Sequence, residues 1–230
     1  MARFSRLEVW TAMEQVGLIP MFYHGDAAVA RQIVAALSAG GATVIEFTNR
    51  GDRAFEVFRE LAVHNEQEHP GLILGAGSIL DAVTAGLYIN LGADFVVGSV
   101  LNPEVARLCN RRKVVYCPGC GSASEISEAE ELGVEMCKLF PAEQLGGPAF
   151  VQAIKAPCPW VKILVTGGVE ASWENLRAWF KAGATCVGMG SNLVRKDLVA
   201  AQAWDDLIAL TQQCLVWVQQ ARAELARPGK

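Results

Sequence analysis

Apolar residues along this chain fall into short runs, separated by longer stretches in which they recur every three or four positions. Eight runs read as strands: GLIPMFY (17–23), TVIEFT (43–48), LILGAG (72–77), DFVVG (94–98), VVYCPG (114–119), VEMCKLF (134–140), VKILVTGG (161–168) and TCVGMGS (185–191). Each is rich in Val, Ile, Leu or Phe and too short for a typical helix. Between them the spacing predicts helices, among them 27–39, 53–64, 103–111 and 122–132. Ser122 and Glu125 have the spacing of a capping box. Gly-Ala pairs at 41–42, 92–93 and 183–184 stand where a helix ends before a strand begins.

Strands alternating with helices imply parallel pairing, and near-continuous apolar strands imply a sheet covered on both faces. Eight such units close into a (β/α)8 TIM barrel, for which 230 residues is a compact length. A doubly wound open sheet is the alternative. Against it, GAGSIL (75–80) carries only the first half of a dinucleotide fingerprint, because Leu80 stands where the third glycine belongs. Its two glycines read as a tight turn. Residues 5–16 read as an N-terminal helix across the barrel bottom, with the barrel over about 17–195. A long C-terminal helical extension follows at about 197–226, with Trp204, Leu207, Ile208, Cys214, Leu215 and Val218 at helical spacing. That stripe suits either the core or a subunit contact. The whole chain, 1–230, reads as one domain.

Composition narrows the partners. The chain is 52% hydrophobic, enough for a full core. A net charge of −4, from 20 basic and 24 acidic residues, gives no electrostatic footprint for nucleic acid or an anionic membrane. Glu8 and Glu14 fall where a signal peptide needs an unbroken apolar stretch, and no run reaches the length of a membrane span. Seven scattered cysteines fit a reducing cytosol better than a disulfide framework, so the expected location is cytoplasmic. Cys117 and Cys120 have CxxC spacing, but no second pair or histidine cluster completes a metal site. They read as buried thiols beside a turn, with redox activity as the alternative.

The chemistry starts from MCKLFPAE (136–143), which sets a lysine in an otherwise apolar strand. By strand parity Met136, Lys138 and Phe140 share one face, and Val44, Glu46, Thr48 and Arg50 share another. If both faces line the barrel, Lys138, Glu46 and Arg50 meet near the carboxyl ends of the strands, where barrel enzymes keep their chemistry. One reading is a self-neutralising Glu46–Lys138 ion pair. The other is a nucleophilic amine that forms an imine with a carbonyl substrate, which calls for a desolvated lysine with Glu46 a few ångströms away. The last two strands end in VTGGVE (165–170) and GMGSNLV (188–194). Gly167, Gly168, Gly190 and Ser191 can present backbone N–H groups to a phosphate at helix N-termini, or can simply shape βα turns.

Taken together, KLFPAE, IEFTNR, GAGS at 75–78, PG at 118–119, TGGV at 166–169 and GMGS at 188–191 resemble the bacterial 2-keto-3-deoxy-6-phosphogluconate and 4-hydroxy-2-oxoglutarate aldolases. The resemblance runs from about Gly17 to Val194 in the same order. It implies that Lys138 is the Schiff-base lysine and Glu46 the general acid/base. It implies that Arg50 and Ser78 hold the carboxylate of the pyruvate half, with Ser78 in place of the usual threonine. Phe140 is then the aromatic beside the imine, and Gly167, Gly168, Gly190 and Ser191 bind phosphate. It also implies a homotrimer that needs no metal or organic cofactor. Three departures bear on the substrate. Gly98-Ser99 stands where Ser-Pro is frequent, Tyr23-His24 where some members place a basic residue, and Asn49 where the position is usually apolar.

The expected activity is cleavage of a 2-keto-3-deoxy-6-phospho sugar acid to pyruvate and glyceraldehyde 3-phosphate. The alternatives are an aldolase for an unphosphorylated keto acid such as 4-hydroxy-2-oxoglutarate, and a phosphate-binding barrel without imine chemistry. Lys138 in its apolar strand separates the aldolases from the last, because a phosphate binder has no use for it.

Overall fold

The computed structural model describes residues 2–226. Its strands are β1 (Leu18–Phe22), β2 (Val44–Thr48), β3 (Ile73–Gly77), β4 (Phe95–Val97), β5 (Val115–Cys117), β6 (Gly119–Cys120), β7 (Cys137–Leu139), β8 (Ile163–Thr166) and β9 (Cys186–Met189). All pair in parallel, in the spatial order β5-β4-β3-β2-β1-β9-β8-β7-β6. β5 and β6 are the fifth expected run divided at Pro118, so one residue joins the two ends of the order and the sheet wraps into a nearly closed barrel. Proline has no N–H for a ladder. At this break the chain stops pairing with β4, where Val115 faces Phe95, and starts pairing with β7, where Gly119 faces Lys138.

The helices are α1 (Arg6–Val16), α2 (Ala27–Ala39), α3 (Ala54–Glu68), α4 (Ala82–Asn90), α5 (Pro103–Arg112), α6 (Ala123–Glu131), α7 (Gly147–Lys155), α8 (Trp173–Ala182), α9 (Lys196–Ala200) and α10 (Trp204–Ala226). Short polar side chains start most of them. Asp26, Asp81, Asn102, Ser122 and Ser172 each accept a first-turn N–H, which satisfies donors with no partner inside the helix. Ser122 makes only half of the expected box, because the Glu125 carboxylate takes the Gly121 N–H at 2.8 Å. The reciprocal box is at Ser5 and Glu8, at the head of α1.

Two apolar layers result. Inside the barrel, Ile19, Val44, Ile73, Phe95, Val115, Met136, Leu164 and Cys186 fill the lower half, and Val9 and Met13 of α1 close it from below. Arg6 grips Glu135 at 2.6 Å and Lys162 grips Glu14 at 2.6 Å, fixing α1 across the bottom as expected. Outside, the helices bury the opposite faces of the same strands. α10 belongs to this outer ring. It packs on α8 and α2 and buries Leu207, Cys214 and Val218, so the stripe expected in an extension is core. Gly40 permits that approach, since a Cβ there would lie 2.6 Å from Thr211 Cβ.

One further reading changes. Gly75 and Gly77 lie within β3 and make no turn. They face the interior, where a Cβ on Gly75 would overlap the Phe95 ring and one on Gly77 would overlap the Glu46 carboxylate. Cys117 lies in the interior layer and Cys120 in the outer one, so the CxxC thiols sit on opposite sides of the wall. Burial pushes the Cys117 thiol well above its ordinary pKa, and both Cys137 and burial raise that of Cys120. Among the described residues, no helix is long and apolar enough to cross a membrane.

Candidate active site

With its lower half filled by large apolar side chains, the barrel opens only above Glu46 and Lys138. There a cavity of about 810 Å³ forms at the carboxyl ends of the strands. Lys138, Glu46, Arg50, Ser78, Phe140, Gly167, Gly168, Gly190 and Ser191 all line it. The structure thus brings together every site residue expected from the sequence. Thr48, Thr166, His24, Ser99, Asn192 and Lys196 line it too. Thr48 and Thr166 are legible by parity at the carboxyl ends of β2 and β8. Asn192 sits in the turn after β9 and Lys196 opens the short helix α9, neither of which carries a periodic signal.

Lys138 is the centre of β7 and only 6% exposed, with its ammonium 5.2 Å from the centroid of the Phe140 ring. Glu46 is the centre of β2, is 1% exposed, and has one carboxylate oxygen, Oε2, with no hydrogen-bond partner. The ion pairs within 4.0 Å among the described residues do not include Glu46 with Lys138, so the self-neutralising pair is not formed. Their fields still meet. Burial raises the Glu46 pKa, while the charges of Lys138 and then Arg50 oppose the rise. A buried amine and an unsatisfied carboxylate therefore face one solvent-accessible space.

The two flanks of this pair are built differently. Arg50 is exposed just beyond β2, and Ser78 follows β3 with a positive φ of 61°, a conformation costly for a β-branched residue. Asn49 ties these loops together. Its N–H bonds Gly77 O at 2.8 Å, and its side-chain oxygen accepts the Tyr88 hydroxyl at 2.9 Å. The polar residue at this unusual position thus links β2, β3 and α4 beside Arg50 and Ser78. Tyr23 packs at 5.7 Å on Phe47, and its hydroxyl occupies the space a Gly51 side chain would need.

On the other flank, Gly167 and Gly168 both have φ of 86°, a backbone only glycine adopts without strain. Asn175 donates to Gly168 O at 3.1 Å and Asn192 to Val169 O at 2.8 Å, fixing the β8 loop from two sides. Leu193 and Val194 N–H groups both close onto Gly190 O at 2.9 Å. No acceptor among the described residues takes the N–H of Gly168, Val169, Ser191 or Asn192. The expected helix N-termini are not adjacent: α8 begins at Trp173 and α9 at Lys196. Turns, not helix ends, present these donors, because the chain must fold back over the rim before either helix can start.

The chain matches the family model described as KDPG and KHG aldolase over residues 9–210. It is 33% identical over 209 residues to a 2-dehydro-3-deoxy-phosphogluconate aldolase of Treponema pallidum, covering 91% of this chain and 97% of that protein. It is 30% identical over 181 residues to the KHG/KDPG aldolase of Escherichia coli, covering 78% and 82%. Among solved structures it superposes, at a TM-score of 0.80 and 26% identity, on a KDPG aldolase from Legionella pneumophila with pyruvate captured as a covalent carbinolamine. That match covers 87% of this chain and 95% of the other.

The raised Glu46 pKa has a consequence for stability. Below the ordinary carboxylate pKa both folded and unfolded chains bind this proton, and the Glu46 contribution is fully present. As pH rises the unfolded chain releases it first, and stability falls until folded Glu46 also ionises. Glu46→Gln removes that dependence, so its urea midpoint relative to wild type should improve from pH 4 to pH 8. An unchanged difference across this range would show that Glu46 is not held in a desolvated site.

Proposed function

The chain belongs to the KDPG and KHG aldolase family, and from that premise we propose that it is a class I aldolase acting on 2-keto-3-deoxy-6-phosphogluconate-type keto acids. The observation that carries the reading is Lys138, buried in the barrel beneath an open cavity with no carboxylate paired to it. Its amine attacks the C2 ketone, and loss of water from the carbinolamine gives a protonated imine. That cation accepts the electron pair when the C3–C4 bond breaks. Glu46 takes the C4 hydroxyl proton, through a water where the reach requires it, and returns a proton to the enamine. A carboxylate with a raised pKa suits both directions of that exchange. Hydrolysis of the pyruvyl imine frees Lys138.

Arg50 and Ser78 hold the substrate carboxylate, the guanidinium by a charge-assisted fork. Phe140 packs beside the imine. Gly167, Gly168, Gly190 and Ser191 cradle the phosphate with their backbone, the N–H groups of Gly168 and Ser191 being free to donate to it. The products of cleavage are pyruvate and glyceraldehyde 3-phosphate. The second reading, 4-hydroxy-2-oxoglutarate as the main substrate, would leave those donors without a ligand. The seven cysteines, all unpaired, fit a reducing compartment such as the cytoplasm.

Borohydride trapping with pyruvate should add one pyruvyl unit per chain, on the peptide carrying Lys138. Label on another residue would sink the mechanism. Lys138→Arg should fold yet lose nearly all turnover, because guanidinium stays protonated. Glu46→Gln should lower kcat by about 10²–10⁴-fold, the usual scale of acid/base catalysis.

Gly190→Val tests the phosphate end. A Cβ at Gly190 would come no closer than 3.8 Å to any neighbouring atom, so the protein tolerates it, while the added methyls cover the donors. The kcat/KM for the phosphorylated substrate should fall by an order of magnitude or more, and that for 4-hydroxy-2-oxoglutarate should hold. Equal losses would mean that these glycines only shape turns.

We read the assembly as a homotrimer. Leu80, just before α4, and Val83 and Leu87 on it expose apolar side chains, and Asn102, which donates to Leu80 O at 2.9 Å, ties the segment of the exposed Val100 to them. Sedimentation equilibrium should give three times the chain mass, and Val83→Asp should lower it.

A further inference from the structure

Lysine and arginine line the cavity at three places, and two of these belong to its pyruvate end. Lys138 stands on β7 and Arg50 follows β2, whereas Lys196 opens α9, beyond the loop after β9. The one acidic residue in the lining is Glu46, on β2, so no carboxylate within the cavity offsets Lys196. Ser191, Asn192 and Lys196 also line a second, more open concavity of about 630 Å³, and so form the lip between the two spaces.

Lys196 is exposed, and among the described residues it joins no ion pair within 4.0 Å. Its neighbour Arg195 is different. That guanidinium spans both Asp197 oxygens, with Nε 3.1 Å from Oδ1, and it lines only the outer concavity beside Glu170. The helix does not explain a lysine here either. The first turn of a helix favours anions, and Asp197 is the residue that meets that preference.

What lies beside the ammonium is the turn that carries the phosphate donors. Leu193 is fully buried, the N–H groups of Leu193 and Val194 close on Gly190 O, and the Asn192 side chain holds Val169 O. The backbone leading to Lys196 is thus anchored, and its flexible stem is free to follow a ligand. A phosphate monoester carries about two negative charges at pH 7. The N–H groups of Gly168 and Ser191 give it hydrogen bonds and no net charge. The rim of β1 gives none either, because Tyr23 packs on Phe47 and the His24 ring accepts the Asp26 N–H at 3.1 Å. Gln202, beyond α9, adds an uncharged amide to the same end of the cavity.

We infer that Lys196 is the counter-ion of the substrate phosphate and sets the preference for phosphorylated over unphosphorylated keto acids. The inference rests on the aldolase reading above and on its phosphate cradle. Lys196 is remote from the C–C bond that breaks, so its part is to select and hold the substrate.

The test compares 2-keto-3-deoxy-6-phosphogluconate with the same keto acid lacking its phosphate, using the full-length enzyme and pyruvate release coupled to lactate dehydrogenase. Lys196→Gln should lower the phosphorylated-to-unphosphorylated ratio of kcat/KM by about tenfold, the scale of one hydrogen bond to a charged group. Lys196→Glu should lower it further, and Lys196→Arg, which keeps the charge, should restore most of it. Added salt should depress the ratio in wild type and much less in Lys196→Gln, because the pair meets solvent. Lys181→Gln, an equal charge change on α8 outside the cavity, should hold the ratio within about twofold. A ratio unchanged in Lys196→Gln, or lowered as much by Lys181→Gln, overturns the inference. So does a Lys196→Arg enzyme that behaves like Lys196→Gln. If Gly190→Val lowers the ratio and Lys196→Gln does not, the cradle stands and the counter-ion falls. If wild type shows no preference for the phosphate, the cradle falls and the inference with it.

Discussion

A carboxylate and an ammonium share one water-poor space in this protein, near enough to feel each other's charge and too far apart to close an ion pair. Direct contact would quench both groups, since a buried pair at bonding distance holds its protons and charges against further chemistry. Complete isolation would cost several kcal/mol for each charge. The barrel meets both limits by setting Glu46 on β2 and Lys138 on β7, opposite parts of its wall, over an apolar floor. The rest of the architecture follows from that placement. Gly77 leaves the room that the Glu46 side chain occupies, and Gly75 does the same for Phe95 beneath it. α1 seals the bottom with Val9 and Met13, so the site reaches water only at the mouth.

The two ends of the cavity use different physics. Near Arg50 and Ser78 the polar groups that line the cavity are side chains, and their loops are tied by the Asn49 bonds to Gly77 O and the Tyr88 hydroxyl. Burial pushes the Tyr88 hydroxyl up to about 12, so it remains a donor at all working pH values. Near Gly168 and Ser191 the lining offers backbone N–H groups without an acceptor among the described residues, and the Asn175 and Asn192 side chains fix the β8 loop. Rigid donors lose little entropy when an anion arrives.

Much of this was legible in the sequence because β and α periodicities differ, and because side-chain parity in a strand leaves only two faces. The eight apolar runs located the barrel wall, with the fifth divided only at Pro118. Parity placed Lys138 and Glu46 inward before any neighbour was known. Glycine read less well: Gly75 and Gly77 looked like a turn because local sequence does not say which side of a glycine is crowded. Helical spacing left the α10 stripe open between the core and a subunit contact, because it shows that a face is buried without showing what buries it.

The sequence alone determined the alternation, the inward lysine and glutamate, and the glycines of the last two strands, since each depends on local backbone geometry or short-range periodicity. Only the tertiary structure decided that Glu46 and Lys138 stay unpaired, that Asn49 braces the Arg50 loop through Tyr88, and that Cys117 and Cys120 lie on opposite sides of a wall. The first two are relations between residues 92 and 39 positions apart along the chain. They are set by the barrel's closure and by the packing of its helices, which no local pattern encodes.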